Sequence, residues 1–119
     1  MQGTLRSDNG AVICERCSIA RNSLTRMRGL LGRRALAQDE GLLLRPAGSV
    51  HTFFMRFPID IVFLDADNRV MRVSADTRPW RTAATRKARA VLELAAGEAM
   101  RVGLEPGHVL RLELDDERG

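Results

Sequence analysis

The sequence predicts a mainly β (α+β) fold, a compact barrel- or sandwich-like domain of about seven or eight short strands and two short helices. Three observations carry that expectation. Apolar runs rich in Val, Ile, Leu and Phe are short and are separated by turn signals, among them residues 8–10 (DNG), 65–68 (DADN) and 105–107 (EPG). Hydrophobic residues make up 45% of the 119 residues and charged ones 29%, a balance ordinary for a globular chain and far from that of disorder. No internal repeat, low-complexity tract or Ser/Gly-rich linker divides the chain, so residues 1–119 read as one domain.

The first twenty residues read as a hairpin, with 8–10 as its turn and 11–19 as its second strand. Residues 22–32 read as a short helix: Asn22 or Ser23 caps it, Leu24, Met27, Leu30 and Leu31 recur at helical spacing, and Gly32 ends it. Gly29 inside that helix costs about 1 kcal/mol relative to Ala and points to a close approach of backbones. Beyond Gly41 the texture is β. Strands are expected at 42–44, stopped by Pro46 and Gly48; at 50–57, stopped by Pro58; at 59–64; and, after the 65–68 turn, at 69–74. A loop with Pro79 and Trp80 precedes a strand at 90–94. Residues 97–103 fit one or two helical turns capped by Gly103, and 109–114 form the last strand.

The net charge of +4 raises nucleic acid as a partner, but the pattern argues against it. All basic residues but Lys87 are Arg, as a GC-rich genome would produce, and they are interleaved with fifteen acids. The densest basic stretch, 78–89, has no aromatic ladder beyond Trp80, so nucleic acid is not the expected partner. The amino terminus lacks the apolar core of a signal peptide, and no apolar run approaches the ~18 residues that cross a bilayer. A cytoplasmic protein with reduced cysteines is therefore expected, without membrane insertion.

Cys14 and Cys17 form a C-x-x-C, but His51 and His108 are too scattered to complete a zinc site. In a regular strand the two thiols point to opposite faces, which makes them ordinary cysteines rather than a redox pair. No nucleophile elbow, phosphate loop or metalloprotease motif is present, and no cofactor is implied. The unusual segment is 51–60, HTFFMRFPID. Four of the chain's five Phe and Trp residues (Phe53, Phe54, Phe57 and Phe63) fall at 53–63. On a regular strand, His51, Phe53, Met55 and Phe57 share one face. Asp60 between Ile59 and Ile61, and Glu93 between Leu92 and Leu94, are carboxylates in apolar company that need donors. Arg28, Arg56 and His51 are candidate donors. One reading has Arg28, His51, Phe53, Met55, Asp60 and Glu93 line a ligand pocket. The other has Asp60 and Glu93 cap loops or pair with arginines, with no chemistry.

These residues also carry a family resemblance. Residues 28–33 (RGLLGR), 39–44 (DEGLLL), 51–65 (HTFFMRFPIDIVFLD) and 91–97 (VLELAAG) resemble, in order and spacing, the DUF192 family, also called UPF0127, over about 11–114. Arg28, Gly29, Gly32, His51, Phe53, Met55, Pro58, Asp60, Glu93 and Gly97 match its signature. Cys14 and Cys17 lie outside it, and Gly107-His108 stands where the family pattern resembles Gly-Asp. The resemblance implies a compact, mostly β barrel-like fold with short helices and favours a shared pocket around His51, Asp60 and Glu93. It supplies no activity, since the family is one of unknown function. Three expectations follow: a non-catalytic binding module for a small polar ligand or protein partner, an enzyme with a His/carboxylate acid–base pair, and an accessory of an envelope or secretion apparatus.

Overall fold

The computed structural model describes residues 1–21, 34–53 and 55–115. The helix expected over 22–32, with Arg28, Gly29 and Gly32, lies outside the described residues, as does Phe54. The described chain is mainly β, with nine strands and one short helix: β1 Gln2–Ser7, β2 Val12–Ala20, β3 Glu40–Leu44, β4 Ser49–His51, β5 Ile59–Leu64, β6 Val70–Thr77, β7 Thr82–Ala84, β8 Ala90–Ala95, α1 Glu98–Arg101 and β9 Leu110–Leu114.

Seven strands form one sheet in the order β6-β5-β8-β3-β2-β1-β9, and β4 pairs with β7 in a second, two-stranded sheet. All pairs are antiparallel except β2–β3. The expected hairpin opens the fold, with Gly10 at φ 90° and the Ala11 N–H held by Asn9 Oδ1 at 2.9 Å. Asp65 ties the β5–β6 turn the same way, its Oδ1 accepting from the N–H groups of Asp67 and Arg69 at 2.8 and 2.9 Å.

The sheet curls around a first core. Leu5 and Ile13 at one end of the strand order share it with Val62, Leu64 and Val70 at the other, and Ala99 and Leu104 close it. A second core of Leu42, Leu44, Val50, Met55, Phe57, Ile59, Ile61, Phe63 and Val91 lies between the opposite face and the β4–β7 layer. Sandwiched between the two, β5 is buried at every position and β8 at all but its last. That explains why both read as continuous apolar runs instead of alternating ones.

The edge strands approach one another near their starts. Arg69 and Val109 form one antiparallel bridge, and Leu110 N–H donates to Asn68 O at 2.9 Å. This is a single bridge and not a ladder, so the sheet is not closed into the expected barrel.

Two further expectations fail for physical reasons. The strand expected over 50–57 ends at His51, because Thr52 leaves the ladder and bonds instead to the loop 78–81. The two cysteines do not point to opposite faces. Register shifts in the β1–β2 pairing leave Glu15 and Arg16 both exposed, so the strand loses its alternation and Cys14 and Cys17 both enter the first core.

Candidate functional site

The β4–β7 layer is organised by Thr52, a fully buried residue that the sequence pattern does not single out. Its N–H donates to Arg81 O at 2.8 Å, and its carbonyl accepts from Trp80 N–H at 2.9 Å. Its hydroxyl donates to Arg78 O at 2.7 Å and accepts from Arg81 N–H at 2.8 Å. One side chain thereby fixes the loop 78–81 against the end of β4. Trp80 sits there at φ 65°, a left-handed conformation costing a non-glycine residue roughly 1–2 kcal/mol.

That conformation places the indole beside Phe53. The ring centroids of Phe53 and Trp80 are 5.7 Å apart with planes 27° from parallel, and those of His51 and Phe53 are 4.9 Å apart at 29°. The His51–Phe53–Trp80 stack lies at the surface, with Phe53 36% and Trp80 55% exposed. The Phe53 N–H donates to His51 Nδ1 at 3.3 Å, which fits the neutral tautomer with its proton on Nε2. Large exposed rings in a planar series are what a recognition surface offers and what a folding core does not need.

A groove of about 340 Å³ is lined by Arg72, Arg78, Arg81, Ser74, Asp76, Thr77 and Thr82, among others; Arg78 and Arg81 flank Trp80 in the chain, and Thr82 pairs with His51. Its three arginines are exposed. Arg72 is held in place: its guanidinium lies 5.7 Å from the Phe63 ring centroid, and Nη1 donates to Ala84 O at 3.2 Å. Charge is sorted by segment. Residues 45–59 and 71–89, which include β4, β7 and most of β6, carry eight basic residues and one acid, Asp76; the rest of the chain carries eleven basic residues and fourteen acids. The interleaving seen along the whole sequence therefore hides a strongly basic region.

Among the described residues, Asp60 and Glu93 of the expected pocket are not brought together. Asp60 is fully buried, and its two oxygens accept three backbone N–H groups: Asp76 at 2.8 Å, Gly97 at 3.1 Å and Ala99 at 2.9 Å. It pins the irregular stretch of β6 and the start of α1, which makes it a positioning carboxylate. Glu93 is also fully buried and engaged, but in the opposite direction. It pairs across the sheet with Leu42 and Ile61, both in the second core, whereas Asp60 pairs with Leu94 of the first core. The two carboxylates thus point to opposite faces of one sheet. Met55 and Phe57 are buried in the second core, so only His51 and Phe53 of the expected face reach the surface site. Arg28 lies outside the described residues. The groups that sequence reasoning missed are Thr52, Arg72, Arg78, Arg81 and the stacking role of Trp80. The signal in the sequence was the chain's sole Trp following Pro79 between two arginines.

The two thiols are neighbours. The Cys14 thiol is pushed up by its hydrogen bond with Cys17 and by burial, while that same bond lowers Cys17 against the opposing effect of burial. The pair therefore gives up one proton far more readily than two.

The chain matches the family DUF192, described as "Uncharacterized ACR, COG1430", over residues 4–112, and it belongs to that family. No curated protein matches it. Two solved structures are similar. One, a protein of unknown function from Novosphingobium aromaticivorans DSM 12444, is 28% identical with a TM-score of 0.78, over 93% of this chain and 84% of that one. The other, described as a candidate transcription regulator from Sinorhizobium meliloti 1021, is 24% identical with a TM-score of 0.82, over 94% of each chain. At that identity the second likeness bears on the fold alone. Among the described residues no helix is long and apolar enough to cross a membrane.

Proposed function

We propose that this protein is a non-catalytic binding module whose recognition surface is the β4–β7 layer. The observation that carries the reading is the exposed His51–Phe53–Trp80 stack, held by the buried Thr52 staple beside an arginine-lined groove. A surface that keeps three rings stacked, with Phe53 and Trp80 exposed and Trp80 at a strained backbone position, is prepared for a ligand with flat apolar area.

The acid–base reading lacks this kind of support. General acid–base work needs a carboxylate within reach of His51 and open to substrate. Asp60 is buried with both oxygens engaged by backbone donors, and Glu93 is buried. The proposal is of a cytoplasmic module, in a compartment where neighbouring thiols stay reduced.

A thermal-shift screen against small polar and aromatic metabolites tests the proposal. Ligands that raise the melting temperature of the parent protein should no longer do so in Phe53→Ala and Trp80→Gly. Ligand-induced shifts that survive both substitutions would put the binding surface elsewhere.

A further inference from the structure

We infer that the stack and the adjoining groove bind single-stranded nucleic acid, the rings taking bases and the arginines taking phosphates. The inference rests on the binding reading above and names its ligand class. Both reasons for setting nucleic acid aside on sequence alone dissolve in the fold. Trp80 is isolated in its basic stretch, but the chain brings Phe53 and His51 to it from a segment more than twenty residues earlier. The basic residues are diluted along the whole sequence, but residues 45–59 and 71–89, which include β4, β7 and the arginines of the groove, hold a single acid among eight basic residues.

What remains is the combination that unpaired strands require. Bases stack on aromatic rings whatever their identity, while a positive groove follows the phosphate backbone. Arg72, Arg78 and Arg81 line one groove, Arg78 and Arg81 flank Trp80 in the chain, and none of the three is ion-paired to an acid among the described residues. Their planar guanidinium groups suit phosphate oxygens. A duplex hides its base faces, so it can engage the arginines and not the rings. Asp76 on the groove wall is the one unfavourable charge, and it should hold the affinity below what the arginines alone would give.

Trp80 is the only tryptophan, so the site carries its own fluorophore. The experiment titrates the full chain with fluorescein-labelled dT12 at low salt, reading dye anisotropy and, with unlabelled dT12, indole emission. Expected are saturable binding, quenching of Trp80, and competition by unlabelled dT12 that exceeds competition by a 12-bp duplex or by heparin at equal charge. Trp80→Gly should weaken binding on the order of tenfold by anisotropy. Glycine tolerates the positive φ at that position, so this variant keeps the fold. Arg78→Glu with Arg81→Glu should weaken binding and flatten the salt slope by about 0.7 for each phosphate no longer neutralised, and Asp76→Asn should strengthen it.

The inference is overturned by absence of saturable binding at low salt, by binding that leaves Trp80 emission unchanged and ignores Trp80→Gly, or by equal competition from heparin. If dT12 fails while a metabolite shift still depends on Phe53 and Trp80, only this inference falls. If no ligand depends on those rings, the broader binding reading falls with it.

Discussion

Asp60 shows how a carboxylate survives between two isoleucines. Its charge is met by three backbone N–H groups, and bonds to a charged acceptor are worth more than neutral ones. Asp60→Asn keeps the shape but turns one acceptor into a donor facing other donors. We expect it to lower unfolding free energy by roughly 2–4 kcal/mol, measured by urea titration; a loss under ~0.5 kcal/mol would remove the structural role argued for this residue. Thr52→Val, which deletes a buried hydroxyl with both a donor and an acceptor bond, should cost about 1–3 kcal/mol. It should also shift Trp80 emission, since the 78–81 loop loses half its staple. The need for donors around Asp60 was legible in the sequence. Their identity was not, because two of the three lie more than thirty residues away and all three belong to the backbone, which leaves no side-chain signature. Cys14 and Cys17 illustrate the same limit: strand periodicity separates them, and an irregularity in β-pairing brings them together.

Elements with strong local signals were legible almost to the residue. The β5 strand lies at 59–64 as expected, and the DNG and DADN turns are where the sequence puts them, since turn geometry is written in adjacent residues. The unexpected elements depend on distant partners. β7, three residues long, exists because it pairs with β4, and the expected strand over 50–57 is cut short by hydrogen bonds to residues 78–81. The parallel β2–β3 pair is likewise invisible locally, and two features test it. Gly41 leaves no room for a methyl group: a Cβ there would stand 2.9 Å from Cys14 Sγ and 3.1 Å from Leu94 Cδ2. Gly41→Ala should therefore destabilise by about 1–3 kcal/mol in a denaturant titration. Just before β3, Arg16 Nε and Nη2 donate to Asp39 at 2.7 and 3.0 Å, and this pair holds the Asp39 carboxyl below its ordinary value. A carboxyl whose folded pKa is depressed adds stability above its unfolded pKa and loses it as pH falls through the folded one. The melting temperature should drop on acidification below about pH 4, and less so in Arg16→Gln; identical acid profiles would mean that the exposed pair contributes nothing.

At the scale of the molecule, the sequence conveyed a basic protein without conveying where the charge lies. The excess falls within residues 45–59 and 71–89, which include β4, β7 and most of β6. A charge-sorted surface implies salt-sensitive adsorption. On a cation-exchange column, Arg78→Glu with Arg81→Glu should elute well before a control with two arginines reversed elsewhere, Arg6→Glu with Arg111→Glu. Equal elution would mean that the surface acts as a uniform average of its charges. The strand order carries a different implication. β1 has β2 on one side and β9 on the other, so one of the two strands that flank it follows about a hundred residues later in the chain. During synthesis an open row of backbone donors and acceptors along residues 2–7 waits for residues 110–114 to leave the ribosome. A chain stopped before Leu110 should therefore be recovered as aggregates and regain solubility when a peptide of the missing strand is supplied, so that a late stretch of synthesis decides whether the earlier product stays dispersed.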